Sequence, residues 1–374
     1  MVHLNTTKTK KQYLLFPAYL AFFIVHTNQM GVGVTGYQRV IYMESKQDAW
    51  ISLLIMYFVM NTVMFMICYI LKSYKDKDLF DIHKSLFGKW FGGAINFIFI
   101  IYLLAGFLAI ILAYTEIVQA WVFPQMGSWV IAAIIILLTI YGVFGGIRTV
   151  VGVCFLGFFL AIWLVFIITE PMTYMDLTFF HPILESNPKE LMMGAYKASF
   201  TVLGFESLFF VYPYIRNKEK VPFYAHLAVG FTAFLLILIM IVSIGYFSGE
   251  QLELTIWATL SMFKIIHFPN LERFEFVTVS VWLIVILPNV LIMMWSATRG
   301  LKKTFRLKQK SFVLICCSLI FIISLFFQKR VFINEYIDMV GQAGFAIVFG
   351  YTSLLFLIVF LSNLRKKVGE KNGA

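Results

Sequence analysis

Apolar runs long enough to cross a lipid bilayer recur along the whole chain, and basic residues cluster in the segments between them. Of its 374 residues, 61% are hydrophobic and only 13% are charged, whereas soluble domains average about 45–50% and about 25%. A helix of about 20 apolar residues spans the hydrocarbon core. The pattern therefore predicts an all-α polytopic membrane protein, with residues 1–374 forming a single transmembrane domain.

Ten transmembrane spans follow from the apolar runs. They cover about residues 13–43, 48–71, 91–123, 128–145, 149–170, 191–215, 222–247, 274–299, 311–328 and 336–362. If the N-terminus is cytoplasmic, 22 of the 30 Lys and Arg residues fall in cytoplasmic segments. Loops rich in Lys and Arg stay on that side, so both termini are predicted to be cytoplasmic. The net charge of +11 then reflects topology, and the expected partner is membrane lipid with no nucleic acid.

Span 1 has a polar, glycine-rich centre, because the sequence HTNQMGVGVTG at residues 26–36 interrupts its apolar run. Glycine is a weak helix former, and buried amides need hydrogen-bond partners. Irregular backbone at membrane depth persists only where protein or water covers it, and half-helix ends there can bind a solute. We therefore predict a broken helix, with Gly31 and Gly33 letting the backbone leave helical geometry. The alternative is a kinked, continuous helix whose glycines allow close packing.

Two further spans are irregular at similar depth. Span 6 has Gly204 and Glu206 near its midpoint, and a carboxylate there costs at least ~2.5–3.5 kcal/mol on insertion scales. Glu206 is therefore predicted to serve function or to cap a break, the alternative being a structural hydrogen bond to a neighbouring helix. In span 8, Pro288 before Asn289 removes a backbone hydrogen bond. Breaks in spans 1 and 6 indicate two inverted repeats, at about 13–170 and 191–362. Because five is an odd number of spans, the second block of five starts on the opposite side of the membrane from the first.

The irregular spans define the predicted substrate pocket. Free N–H groups at a half-helix start suit a carboxylate, and free carbonyls suit an ammonium group. The predicted pocket residues are Thr27, Asn28, Gln29, Gly31, Gly33, Gly204, Phe205, Glu206 and Asn289. Outside this set, His26 is interpreted as a packing or hydrogen-bonding residue. Tyr102 either faces the cavity or is a core or interface residue, as most tyrosines of a membrane protein are. The outer loop 248–273 is expected to hold a short surface helix that serves as a lid, a partner contact or a plain connector.

Catalytic and metal-binding motifs do not occur in a suitable context. The chain has no GxSxG, HExxH or Walker A motif. Gly31, Gly33 and Gly36 match GxGxxG, but they lie inside a membrane span without a preceding strand. The four cysteines lie in apolar segments without metal-ligand spacing. The sequence therefore predicts no enzyme, no cofactor, no metal site and no disulfide framework.

Short motifs in this chain resemble the spore germination protein family, in particular the B subunits of Ger-type nutrient germinant receptors. They are Gln29-Met30-Gly31-Val32-Gly33-Val34, Asp48-Ala49-Trp50-Ile51, Gly204-Phe205-Glu206, Tyr212-Pro213, and Phe268-Pro269 with Glu272-Arg273-Phe274-Glu275. In the last motif many members have ERxD, whereas this chain has Glu275 at the final position. The order and spacing of the motifs within ten spans extend the resemblance over nearly the full chain.

The resemblance implies membership of the amino acid–polyamine–organocation superfamily, with a LeuT-like fold of 5+5 helices. It also implies an inner spore membrane protein that works with an A-type receptor subunit and a C-type lipoprotein. A nutrient of the amino-acid, sugar or nucleoside class would then trigger germination. Two alternatives stay open because fold does not determine function. One is an amino-acid permease coupled to H⁺ or Na⁺, and the other is a water or ion path gated by the germinant.

Overall fold

The computed structural model describes residues 14–266, 273–305 and 307–372, with side chains as far as residue 365. Within these ranges the chain is helical apart from its connections, and one isolated bridge joins Phe16 to Ile215. The predicted all-α fold class is confirmed. The predicted division into repeats at about 13–170 and 191–362 stays a prediction.

Each of the ten predicted spans corresponds to helical structure. Spans 2 to 5 comprise Ala49–Tyr74, Leu79–Trp121, Ser128–Phe144, and Ile147–Ala161 with its short extensions Leu164–Ile167 and Thr169–Met172. Spans 7 to 9 comprise Val221–Tyr246, Phe274–Thr304 and Gln309–Ser324. Span 10 comprises Arg330–Phe345, the π-helical segment Ala346–Tyr351 and Thr352–Asn372.

Spans 1 and 6 are each divided into shorter pieces. Span 1 comprises Leu20–Gln29, a 3₁₀ turn at Val32–Thr35, and Tyr37–Ser45. Span 6 comprises Pro188–Thr201, a 3₁₀ turn at Phe205–Ser207, and the short pieces Leu208–Val211 and Tyr212–Tyr214. The interruptions predicted for these two spans are confirmed.

Six helical stretches in the described residues are long and apolar enough to cross a membrane. They are Tyr37–Tyr74, Leu79–Trp121, Ile147–Met172, Lys218–Tyr246, Phe274–Thr304 and Arg330–Arg365. Two further apolar helices, spans 4 and 9, are shorter. The protein is therefore an integral membrane protein whose span 8 packs centrally, against spans 3, 5 and 1.

The start of span 3 differs from the prediction. The segment 79–90, assigned to a cytoplasmic loop because of its lysines, is helical from Leu79 onwards. Gly88, with φ 77° and ψ 178°, separates this first piece from the membrane-spanning part. The piece is held against the protein because Asn96 Nδ2 donates to the Phe80 carbonyl (3.0 Å) and His83 Nδ1 lies 2.7 Å from Asn96 Oδ1. The helix is amphipathic: it buries Leu79, Phe80 and Ile82 against the protein. The basic residues on its other positions had led to its assignment as a loop.

Charged connections gather at two opposite ends of the helix bundle. At one end Lys303 pairs with Asp78 and Asp81, and Lys84 Nζ donates to the Lys303 carbonyl (2.9 Å). At the other, which we call the outer end, Lys46 pairs with Glu253 and Arg330 with Glu116, each at 2.5 Å. The connections found at the same end of the bundle are those that the charge pattern assigns to the same side of the membrane. Which end is cytoplasmic stays a prediction.

The loop between spans 7 and 8 covers the second half of span 1. It contains two short helices, Gly249–Leu254 and Ala258–Met262. Thr259 Oγ1 donates to the Val34 carbonyl (2.8 Å), and Gln38 Nε2 donates to Thr259 Oγ1 (2.6 Å). A Cβ at Gly36 would lie 2.1 Å from the Ile256 carbonyl oxygen. The loop is therefore docked as a lid on span 1. Residues 267–272, with most of the predicted Phe268–Glu275 motif, lie outside the described residues.

Candidate functional site

The break in span 1 spans seven residues. The first helix ends at Gln29, Met30 has φ −87° and ψ 87°, and Gly31 is extended with φ −117° and ψ −156°. Gly36, with φ −149° and ψ 12°, then precedes the helix that starts at Tyr37. The prediction of a broken helix is confirmed, and the alternative of a kinked, continuous helix is wrong.

The break in span 6 depends on one glycine. Gly204 has φ 122° and ψ −21°, a backbone conformation that residues with a Cβ atom rarely adopt. Gly31 leaves helical geometry as predicted, but neither Gly31 nor Gly33 has a positive φ, so neither needs the conformational freedom of glycine. Of the two positions, space is restricted only at Gly33. A Cβ at Gly33 would lie 3.3 Å from Thr201 Cα, whereas one at Gly31 would make an ordinary contact with Asn289 Oδ1 at 3.6 Å.

The two breaks touch each other. A Cβ at Gly204 would lie only 2.0 Å from the carbonyl oxygen of Asn28. Beside this contact, Gln29 Nε2 donates to the Val202 carbonyl at 3.3 Å. The last turn of the first half of span 1 therefore packs directly on the unwound backbone of span 6, as expected for a pair of broken helices that share a midplane site.

Glu206 caps the break in its own span. Its carboxylate is buried, and Oε2 accepts a hydrogen bond from the Gly204 amide at 2.7 Å. The other oxygen, Oε1, accepts from the Tyr102 hydroxyl of span 3 at 2.9 Å. Both oxygens thus satisfy donors at the break, and the capping role proposed from the sequence agrees with this geometry.

Span 8 supplies hydrogen bonds to the carbonyls that unwinding exposes in span 1. Asn289 Nδ2 donates to the carbonyls of Thr27 (3.0 Å) and Met30 (3.3 Å). Trp282 Nε1 donates to the Gly31 carbonyl at 3.3 Å. In this conformation these carbonyls have partners, so a ligand's ammonium group reaches them only by displacing Asn289 or Trp282.

Two buried polar atoms at the breaks have no hydrogen-bond partner among the described residues. They are Gln29 Oε1 and Ser207 Oγ. Such atoms are exceptions in folded proteins and call for a specific explanation. Both lie beside the contact between spans 1 and 6.

The remaining predicted residues contribute less through their side chains. Thr27 Oγ1 and Asn28 Nδ2 donate to carbonyls four residues earlier, at 2.7 and 2.8 Å, so their backbone carbonyls face the site instead. The ring of Phe205 packs against Phe349 of span 10, with ring centroids 5.7 Å apart. Phe205 is therefore a core residue rather than a wall of the pocket.

An apolar cavity of about 70 Å³ lies next to the break, between spans 1, 5, 7 and 8 and the lid. Of the predicted pocket residues only Thr27 lines it, and its other polar side chains are His26, Thr259 and Trp282. His26 Nδ1 lies 2.8 Å from Thr232 Oγ1, and its ring packs on Phe231. The cavity can accept an apolar group, while the polar contacts lie on the side of span 1 that faces spans 6 and 8.

Sequence reasoning missed two residues of this site and left a third open. Ser207 and Trp282 were not predicted, and for Tyr102 the sequence left both a cavity-facing and a core position open. Trp282 precedes Asn289 by seven residues, or two helical turns, so it lies on the same face of span 8 and was detectable. Nothing in the sequence links Tyr102 to Glu206, because the two residues are 104 positions apart.

No cluster of three or more metal-ligating side chains occurs in the described part of the chain. The four cysteines are buried free thiols. The site consists of backbone groups, amides, one carboxylate and aromatic hydrogen-bond donors. Its groups can both donate and accept hydrogen bonds.

The fold resembles a solved transporter structure. A Na⁺-coupled sialic acid symporter in a substrate-bound, outward-open state superposes with a TM-score of 0.67 at 11% sequence identity. The match covers 92% of this chain and 79% of that chain. This similarity establishes a LeuT-like fold for the chain.

The sequence is similar to named germination proteins over almost its whole length. Spore germination protein GerQB of Bacillus cereus is 38% identical over 347 residues, covering 93% of this chain and 96% of the relative. Spore germination protein A2 of Bacillus subtilis (strain 168) is 25% identical over 354 residues, covering 93% and 95%. The family model described as spore germination protein matches residues 16–333. The chain belongs to the spore germination protein family.

Proposed function

We propose that this chain is the membrane subunit of a spore germinant receptor, which binds a small nutrient and triggers germination. The nutrient belongs to the amino-acid, sugar or nucleoside class. The observation that carries the proposal is the contact of the two helix breaks at Asn28 and Gly204. In a LeuT-like fold this contact is where a solute can bind backbone groups of both repeats.

The hydrogen bonds around the breaks suggest how binding would be transmitted. A nutrient with N–H or O–H donors competes with Asn289 for the carbonyls of Thr27 and Met30. Displacing Asn289 releases span 8 from span 1, while a contact with Glu206 loosens its bonds to Gly204 and Tyr102. A nutrient that binds more tightly to the conformation in which these hydrogen bonds are broken shifts the population towards that conformation.

The proposed setting follows from the family. The subunit lies in the inner spore membrane with both termini in the cytoplasm, and it works with an A-type receptor subunit and a C-type lipoprotein. Support comes from relatives that are named spore germination proteins and match more than nine-tenths of the chain. Their names describe no enzyme, and the proposed role needs none.

Replacement of Glu206 by glutamine tests this proposal. A glutamine side chain retains one acceptor oxygen and turns an NH₂ group towards either the Gly204 amide or the Tyr102 hydroxyl. A hydrogen bond to a charged group contributes about 1.5–3 kcal/mol, and each ~1.4 kcal/mol changes an affinity tenfold. We therefore expect Glu206→Gln to change the nutrient concentration for half-maximal germination by about tenfold or more.

The measurement is release of dipicolinic acid from spores over a nutrient series, with the amount of subunit in the inner membrane determined by immunoblot. Glu335→Gln, on an exposed position of span 10, is the matched control and should respond like wild type. A Glu206→Gln subunit that is normally abundant and responds at wild-type nutrient concentrations would contradict the proposal.

The similarity to a symporter favours a second candidate, an amino-acid permease coupled to H⁺ or Na⁺. A receptor and a permease differ in whether solute crosses the membrane. Purified protein in sealed liposomes should therefore be assayed for uptake of the radiolabelled nutrient, with an imposed H⁺ or Na⁺ gradient. Accumulation above the level of protein-free liposomes would favour the permease.

A further inference from the structure

A second cavity lies at the outer end of the bundle, between spans 3, 4, 9 and 10. Its volume is about 210 Å³, and none of the nine predicted pocket residues lines it. It is therefore separate from the helix breaks. Ligand pockets for drug-sized molecules measure about 300–1,000 Å³, so this cavity suits a smaller solute.

The lining of this cavity is polar but uncharged. Hydroxyl and amide groups line it together with apolar side chains, and among the described residues no Asp, Glu, Lys, Arg or His lines it. The polar residues are Thr115, Gln119, Ser128, Ser324 and Gln328. Of the charges nearest in sequence, Glu116 and Arg330 form an ion pair of 2.5 Å, and the exposed Lys329 lies with its ammonium group over the Phe332 ring. The uncharged lining itself favours a neutral occupant.

The hydroxyl of Thr115 is the strongest sign of a ligand. Buried threonines in other spans donate to the carbonyl four residues earlier, as Thr139 (2.8 Å) and Thr298 (2.7 Å) do. Thr115 is only 6% exposed, yet its Oγ1 has no hydrogen-bond partner among the described residues. Unpaired buried hydroxyls are exceptions, and because Thr115 lines the cavity, an occupant could satisfy this one.

The rest of the lining indicates what the ligand looks like. The Gln119 NH₂ group donates to the Met126 carbonyl (2.8 Å), which leaves its amide oxygen to accept. Gln328 is exposed and marks the mouth, while Ile111 and Leu112 are buried and form an apolar floor. We propose that this cavity binds a small uncharged solute with several hydroxyl groups and one apolar face, that is, a polyol or a monosaccharide.

Such a solute is placed to influence the central site without entering it. Span 3, which contributes Thr115, also carries Tyr102, whose hydroxyl bonds to Glu206 at the break of span 6. Span 10, which contributes Ile333 to the cavity, bonds to span 3 through the Tyr336 hydroxyl and the Ala105 carbonyl (3.0 Å). Occupancy of the cavity therefore bears on the two helices that support the break.

Cysteine protection in the purified full-length protein tests the proposal. Ser128→Cys places a reporter thiol in the cavity wall, and the four native cysteines are buried. The rate of N-ethylmaleimide labelling is measured in the presence of glycerol, D-glucose or potassium D-gluconate. Gluconate is the charged probe, because it carries a carboxylate on a six-carbon polyol chain. The free fraction of sites is 1/(1 + [L]/Kd), so labelling should slow about tenfold at a probe concentration ten times its Kd. Gluconate should not protect.

The role of Thr115 is tested in the same reporter background. Thr115→Val keeps the shape but removes the hydroxyl, and it should abolish protection by D-glucose, whereas Thr115→Ser should retain it. Lys329→Cys, exposed beyond the mouth, is the control thiol whose labelling should not change. Equal labelling of the Ser128→Cys protein with and without both neutral probes means that the cavity holds water only and overturns the proposal. Equal protection by gluconate, or by glucose in the Thr115→Val protein, also overturns it.

Discussion

The side-chain nitrogen of Asn289 lies 3.0 Å from the backbone carbonyl oxygen of Thr27, across the contact between spans 8 and 1. The same nitrogen is 3.3 Å from the Met30 carbonyl. The carbonyl oxygens of Thr27 and Met30 can accept hydrogen bonds from the Asn289 NH₂ group but not from its amide oxygen. These two carbonyls therefore determine how the Asn289 side-chain amide is oriented. This pair of bonds holds the broken end of span 1 against the helix that contains Pro288.

Replacing Asn289 by aspartate should break this connection. A carboxylate turns negative oxygens towards the carbonyls of Thr27 and Met30 and leaves both carbonyls without a donor. Each buried group left unsatisfied costs about 1–3 kcal/mol, so we expect a lower melting temperature and a reduced nutrient response. Asn363→Asp, on span 10, is the matched control because Asn363 bonds only near the surface. An Asn289→Asp protein with wild-type melting temperature and response would show that this connection is unimportant.

Gly204→Ala should be far more damaging than Gly31→Ala. At Gly204 a methyl group meets the Asn28 carbonyl at 2.0 Å and requires a positive φ, which costs about 1–2 kcal/mol in addition to the clash. At Gly31 it makes an ordinary contact. We expect the Gly204→Ala subunit to be depleted from the membrane and the Gly31→Ala subunit to accumulate normally, as measured by immunoblot. Equal abundance of the two variants would contradict this geometry.

Gly33→Ala should have an intermediate effect. The added methyl group would lie 3.3 Å from Thr201 Cα, so the two breaks must separate by a few tenths of an ångström. We expect normal abundance with a higher nutrient concentration for half-maximal germination. The check is a dose–response series alongside Gly31→Ala, and a coincident pair of curves would refute the expectation.

Removing the Thr259 hydroxyl should loosen the lid. Thr259 links Gln38 to the Val34 carbonyl, and Thr259→Val leaves both buried groups without this partner. Hydrogen–deuterium exchange in residues 249–265 should therefore accelerate. Thr255→Val is the control in the same loop, because Thr255 bonds only to the Gln251 carbonyl. Unchanged exchange in the Thr259→Val protein would argue against a lid held at this point.

The sidedness predicted from the basic residues can be tested by thiol labelling. A cysteine at Ser73, in the last turn of span 2, should react with a membrane-impermeant maleimide only after the membrane is permeabilised. A cysteine at Glu250, in the lid loop, should react in intact cells. Labelling of Ser73→Cys from outside intact cells would invert the topology.

The sequence by itself determined the number, order and relative sidedness of the spans and the positions of both breaks. These features are local, because bilayer thickness sets the length of an apolar run and Gly, Asn and Gln interrupt it at identifiable positions. Local pattern also misled in one place. The lysines led to the assignment of residues 79–90 to a loop, whereas the helix starts at Leu79. At the breaks, the positive φ is at Gly204 and not at Gly31 or Gly33.

Only the tertiary structure decided which groups meet. The Tyr102–Glu206 and Asn289–Thr27 bonds join residues 104 and 262 positions apart. No periodicity or composition encodes such pairs, because they follow from how whole helices pack. The same holds for Thr115, an ordinary helical residue in sequence. That its buried hydroxyl has no partner among the described residues, and that the residue lines a cavity between spans 3, 4, 9 and 10, follows only from how these helices pack.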